Sequence, residues 1–165
     1  MERKICLINP PTTPPGAEVF FPMALIALGS HLQSRGVSVE IVDFDLALKE
    51  DVSLLDYERF KEFALNRLAS LDTRIFGISS ICNNFPVSLL LAQAIRERWP
   101  DSKILLGGHQ PSSVPEETLA AFPFIDLVVI GEGEITLTEI MENGFAVFEV
   151  EAGSYSFSSE IDKPA

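Results

Sequence analysis

Short apolar runs alternate with helical periodicities along most of the chain. Ile5-Cys6-Leu7-Ile8 is a continuous apolar run closed by Asn9-Pro10-Pro11, the pattern of a strand buried on both faces. Pro22 suits the first turn of a helix running to Arg35, with Leu25, Ile26, Leu28 and Leu32 inward and Gly36 ending it. Val37 to Val42 reads as a second strand. From Leu55 to Leu71, the residues Phe60, Phe63, Ala64, Arg67, Leu68 and Leu71 fall at helical spacing. Ile75-Phe76-Gly77-Ile78-Ser79 gives a third strand, and Pro86 opens a helix carrying Val87, Leu90, Leu91, Ala94 and Ile95. Lys103 to Leu106 is a fourth strand, ending in Gly107-Gly108. A short helix begins at Pro115, where the carboxylates of Glu116 and Glu117 suit a helix N-terminus. Asp126 to Ile130 is a fifth strand, and Ile135 to Glu142 a last helix.

Strands alternating with helices predict a doubly wound α/β domain over residues 1–144, a parallel sheet with helices on both faces. Ligands of such sheets sit outside the carboxyl ends of the strands, where the strand order reverses. The loops to inspect are therefore Asn9 to Thr13, Asp43-Phe44-Asp45, Ser79 to Asn84, Gly107 to Gln110 and Gly131 to Glu134. Residues 145–165 stand apart. Phe145 to Val150 and Tyr155 to Ser158 partly alternate around Ala152-Gly153, which reads either as an edge hairpin or as a frayed tail. Ile161 to Ala165 has the look of a terminus cut from something longer.

Charge and cysteine content narrow the function. The chain has 165 residues, a net charge of −12 and 47% hydrophobic residues, an ordinary composition for one globular domain. Its acidity repels phosphate backbones and no basic patch offsets it, so no nucleic-acid partner is expected. No apolar run approaches the length of about 18 residues that spans a bilayer, so no membrane partner is expected either. Cys6 and Cys82 are too few and too far apart for a disulfide scaffold or a zinc ribbon. The opening apolar run is too short for a secretory signal, and a cytoplasmic, reducing location is expected.

The loops exclude several chemistries. Pro10, Pro11, Pro14 and Pro15 each delete a backbone N–H that a phosphate cradle after the first strand would need. Neither G-x-G-x-x-G nor G-K-[ST] follows that strand, which disfavours a dinucleotide fingerprint, a P-loop and a flavodoxin-type flavin loop. A phospho-acceptor receiver would carry Asp at the end of the third strand, where Ser79 and Ser80 stand, and Lys after the fifth, where Gly131 stands. A hydrolase using Cys82 or Ser79 lacks a general base that can be named. His31 reads as an ordinary helix residue, and Cys82 as a small buried hydrophobe rather than a reactive thiol. His109 follows two glycines at a strand's carboxyl end, so it either faces a ligand or simply follows the turn. Glu132 and Glu134 are either an acid/base pair or acids at a helix N-terminus.

Taken together these loops resemble the cobalamin-binding domain of cobalamin-dependent radical SAM enzymes. The resemblance rests on Ile8-Asn9-Pro10-Pro11, Gly77-Ile78-Ser79-Ser80-Ile81, Leu106-Gly107-Gly108-His109 and the run from Asp126 to Glu134, in order and at the right strand ends. It implies a flavodoxin-like fold, a five-stranded parallel sheet in the order 2-1-3-4-5. The corrin would lie across the carboxyl edge, with its dimethylbenzimidazole nucleotide tail slotted beside the sheet. The residues implied to contact the cofactor are Asn9, Pro10, Pro11 and Thr12, then Ser79, Ser80 and Ile81, then Gly107, Gly108 and His109, then Gly131, Glu132 and Gly133. None is expected to be catalytic or a metal ligand. Missing side chains at Gly107 and Gly108 would make room for the tail, and the serine hydroxyls would bond its polar atoms without a buried charge.

Two departures qualify the resemblance. The larger cobalamin-binding family carries D-x-H-x-x-G after the first strand, its His serving as lower cobalt ligand; Asn9 to Gly16 contains no His. Cobalamin would then be bound base-off without a histidine ligand. Radical SAM chemistry also needs three cysteines for a [4Fe–4S] cluster, and this sequence has two. The cluster and S-adenosylmethionine would therefore belong to another domain or a partner radical SAM protein. Val19-Phe20-Phe21 would contact the corrin or that partner, or else pack into the domain's own core. The alternative is a ligand-free interaction or regulatory domain that keeps the sheet as scaffold.

Overall fold

A computed structural model describes residues 3–12 and 21–145. Among them five parallel strands form one sheet: β1 (Lys4–Asn9), β2 (Ser38–Asp43), β3 (Ile75–Ser79), β4 (Lys103–Gly107) and β5 (Leu127–Val129). Their order is β2-β1-β3-β4-β5, as the resemblance implies, and the fold is flavodoxin-like. The helices are α1 (Met23–Ser34), α2 (Phe44–Glu50), α3 (Tyr57–Ala69), α4 (Phe85–Arg98), α5 (His109–Ser113), α6 (Pro115–Ala121) and α7 (Glu134–Asn143), with a 3-10 turn at Val52–Leu55.

Side chains alternate between the two faces of a strand, so each central strand feeds two cores. Cys6, Ile8, Phe76, Ile78, Ile104 and Leu106 point to one face, against Phe60, Ala64 and Leu68 of α3 and Leu91, Ala92 and Ile95 of α4. Ile5, Leu7, Leu105, Leu127 and Val129 point to the other, against Leu25 and Leu32 of α1 and Leu137, Ile140 and Met141 of α7. The continuous apolar run of β1 is accordingly buried on both sides.

Three inward assignments differ from the expectation. Ile26, Phe63 and Leu90 are 38%, 41% and 42% exposed. A helix lying flat on a sheet covers only the centre of its apolar stripe, here Leu25, Gly29 and Leu32 in α1, and flanking apolar positions overhang the edge. Two short helices had no counterpart in the periodicity. α2 begins directly after β2 because Asp43 Oδ1 accepts from the N–H groups of Asp45 (3.0 Å) and Leu46 (3.1 Å), an N-cap where a loop was expected. α5 has only five residues, Pro111 among them, and is held by the ends of β4 and β5.

The amino edge is tied by Arg96 of α4. Its guanidinium donates to the carbonyls of Pro100 (2.6 Å), Ser102 (2.8 Å) and Phe124 (3.2 Å) and to Asp126 Oδ2 (2.6 Å). That carboxylate oxygen also accepts from the Ile104 N–H (2.7 Å). Asp126 thus serves a turn instead of starting β5. Phe145 packs against the same end of the molecule, and the hairpin-or-tail reading of the segment after it lies outside the described residues, as do Val19 and Phe20. Replacing Arg96 with Met is expected to cost about 2 kcal/mol through these lost charge-assisted bonds. The urea midpoint should fall with an unchanged slope.

Candidate functional site

The two faces of the sheet are not filled equally at the carboxyl edge. On the α1/α7 face, the positions that should carry large side chains are Gly77 and Ser79 in β3 and Gly107 in β4. Ser79 and Gly107 are register partners, as are Gly77 and Leu105. The missing bulk leaves a cavity of about 250 Å³ between α1, α7 and the ends of β1, β3, β4 and β5. Its inner wall is Leu7, Leu105, Val129 and Leu137; its rim carries Ser79, His109, Ser112 and Glu132. It lies where strand order reverses, β1 having β2 on one side and β3 on the other.

The glycines lining this cavity play different parts. A Cβ on Gly77 would meet Leu7 Cδ2 at 3.1 Å, so any larger residue would fill the inner end. A Cβ on Gly107 would make only ordinary contact, 3.7 Å from the Val129 carbonyl, so Gly107 keeps the slot open without being forced by the backbone. Gly108 has φ 105° and its Cβ would collide with the backbone of Ser80, so a side chain there would disturb the fold itself. Gly133, at φ 83°, precedes α7 and lies 3.3 Å, by its would-be Cβ, from Val129.

Of the residues the sequence pointed to, Ser79, Gly107, Gly108, His109, Gly131, Glu132 and Gly133 are brought together around this one slot. Ser80 and Ile81 are not. Ser80 is fully buried; its N–H donates to the Gly107 carbonyl (2.7 Å) and its hydroxyl to Asn84 Oδ1 (3.3 Å), which also accepts the Ile81 N–H (2.8 Å). Adjacent residues at a strand end point oppositely, so Ser79 and Ser80 do not share the slot. The sequence reading missed Gly77, although its period-2 relation to Ser79 marks the same face. Cys82, expected to be buried, is exposed at the edge, while burial pushes the Cys6 thiol up to about 12, with Arg67 pulling down and Glu40 pushing up.

Asn9 ends β1 and Pro10, Pro11 and Thr12 follow it, and none of the four lines the slot. Pro10 is buried, while Pro11 and Thr12 border a second, apolar hollow of about 410 Å³ beside Leu48, Leu54, Tyr57 and Pro86. Polar anchors hold this loop on both flanks. Asn9 Nδ2 donates to Asp43 Oδ1 (2.9 Å), its register partner in β2. The N–H and hydroxyl of Thr12 donate to Asp45 Oδ1 (2.7 and 2.9 Å), and Asn83 Nδ2 donates to the Thr12 carbonyl (2.9 Å). Asp45 in turn pairs with Lys49 at 2.7 Å, both side chains being under a tenth exposed. Burial works to raise the Asp45 pKa, but the bonds from Lys49 and Thr12 outweigh it and hold the carboxyl below its ordinary value.

A doubly wound sheet with a glycine-hollowed slot at its switch point is a small-molecule-binding domain in form. The comparisons give it a family: the B12-binding domain model matches residues 17–141, and the chain belongs to that family. It is 27% identical over 142 residues to an anaerobic magnesium-protoporphyrin IX monomethyl ester cyclase of Synechocystis sp., covering 84% of this chain and 27% of that protein. It is also 27% identical over 143 residues to an uncharacterized methyltransferase of Pyrococcus horikoshii, covering 84% and 29%. The chain thus spans under a third of either relative. The fold superposes with TM-score 0.70 and 22% identity on the radical S-adenosylmethionine methyltransferase TsrM from Kitasatospora setae, solved with cobalamin and a [4Fe–4S] cluster. That match covers 89% of this chain and 25% of TsrM.

The Asp45–Lys49 pair yields a pH-dependent prediction. A depressed folded pKa stabilises the fold above the unfolded value, and that contribution disappears as pH falls through the folded value. Asp45→Asn should lose about 1–3 kcal/mol at pH 7, because it removes the charged acceptor that Thr12 and Lys49 share. The gap between wild type and variant in urea midpoint should close below about pH 4.

Proposed function

We propose that this domain binds cobalamin base-off, with the benzimidazole nucleotide withdrawn from cobalt into the glycine-lined slot and the corrin across the carboxyl edge. The supporting observation is the slot: a cavity of about 250 Å³, opening at the switch point and emptied of side chains at Gly77 and Gly107. That is smaller than pockets holding whole ligands, about 300–1,000 Å³, and suits the narrow end of a larger molecule. Ser79 and Ser112 stand at its rim to meet the polar sugar and phosphate, with His109 and Glu132 beside them. The loop Asn9–Thr12 carries no imidazole, and the Thr12 N–H and hydroxyl are both given to Asp45. Its role is to hold a fixed surface near the lower face of the ring and keep water from it.

Bound cobalamin supplies a cobalt centre that carries a methyl group or supports a radical step, while the chain's part is to bind, orient and shield it. Cys6 is buried in β1 and Cys82 is exposed beyond β3, so these two do not form the three-cysteine set of a [4Fe–4S] cluster. In this reading the cluster, S-adenosylmethionine and substrate belong to a radical SAM domain or partner protein. Phe21, 77% exposed, and Met23, 66% exposed, stand at the start of α1, whose Ala24 lines the slot, and suit contact with that partner rather than this domain's own core.

Hydroxocobalamin should form a stoichiometric complex that survives gel filtration and shows a base-off absorption spectrum. Folded protein that releases the cofactor would count decisively against the reading. Gly107→Val, in strand geometry that tolerates it, should weaken uptake at least about tenfold while circular dichroism stays unchanged. His109→Ala should cost no more than about tenfold, the range of one neutral hydrogen bond.

A further inference from the structure

We propose that the slot selects among cobamides by the base at the end of the nucleotide tail, accepting an apolar benzimidazole and rejecting a purine such as adenine. The inference rests on the cobalamin reading above and adds a specificity that the reading does not contain. The base is the part of the tail farthest from the corrin, so it occupies the inner end of the slot. That end is walled by Leu7, Leu105, Val129 and Leu137, each 5% exposed or less, and by the bare backbone of Gly77. The backbone there is engaged in the ladder, with Gly77 paired to Leu7 on one side and Leu105 on the other. Among the described residues, the polar side chains of the slot stand toward the rim.

Among the described residues, no side chain of that inner wall can receive the exocyclic amine and ring nitrogens of adenine. Among the described residues Ser102 Oγ is the one buried side-chain polar atom without a partner. It lies beside Lys103 at the amino end of β4, the far end of the strand from the slot's mouth. Burying a polar group without a partner costs far more than a missing methyl contact gains. The dimethyl-substituted edge of a benzimidazole has no such requirement, and its methyl groups suit the leucine wall. The discrimination is therefore built from the absence of partners rather than from a specific bond.

The test compares three probes on the intact chain by spectroscopic titration: cobalamin, the cobamide carrying adenine in place of dimethylbenzimidazole, and tail-less cobinamide. Cobalamin should bind at least about tenfold more tightly than the adenine cobamide. Cobinamide, which gains nothing from the slot, should bind more weakly than cobalamin. Equal or tighter binding of the adenine cobamide, with cobalamin still retained, overturns the selectivity and leaves the cobalamin reading standing. Failure to retain any of the three overturns both. In Leu28→Asn, which places an amide at the α1 wall of the slot, the preference should narrow; a folded variant with an unchanged ratio also overturns the inference. A merely structural effect would lower both affinities and leave their ratio alone.

Discussion

The constraint on which the rest depends is the strict alternation of a strand buried on both faces. Each buried apolar residue of β1, β3 and β4 is committed to one of two cores, and neither face can change without the register of the other. On the α3/α4 face the commitments are Ile8, Phe76, Ile78, Ile104 and Leu106, a filled layer that supplies cohesion. On the α1/α7 face the same strands place Gly77, Ser79 and Gly107 toward the carboxyl edge. One face holds the sheet together, and the other can therefore be left open locally without loss of the core.

The parallel sheet was legible because apolar runs of four to six residues alternate with helical stretches, while its order came from the resemblance of the loops. The slot was half legible. Gly107-Gly108 at a strand end drew attention, yet the two glycines do different work: Gly107 leaves space, while Gly108 satisfies a φ of 105° and a close pass by the Ser80 backbone. Ser79 and Ser80 looked equivalent in sequence and are separated by the pleat, one facing the slot and the other sealed beneath Asn84. Gly77 was readable by counting two residues back from Ser79 along the same face.

What stayed hidden was polar and long-range. Nothing local to Asn9-Pro10-Pro11-Thr12 announces that its anchors are Asp43, Asp45 and Asn83, from other parts of the chain. Asp43 read as a loop residue because its capping of α2 depends on a helix too short to show a period. The prolines had already indicated a stiff loop poor in donors, and the anchors explain how such a loop is nonetheless held: two side-chain carboxylates and one amide take up the groups that remain. Cys82 was misjudged for a related reason, since the chain turns outward after Ser80 and carries it to the surface.

The double anchorage of Thr12 also sets a direction of approach. Lifting the loop over β1 would break its bonds to Asp45 and Asn83 together, on opposite flanks of the strand. The rim between α1 and α7 carries no comparable cross-tie among the described hydrogen bonds, and positive-φ glycines at 131 and 133 form part of it. If the proposed cofactor binds here, this geometry would admit it sideways, slender end leading, and its departure would retrace that path. Docking of a second domain over Phe21 and Met23 would bolt the doorway after loading, turning a reversible guest into a resident one.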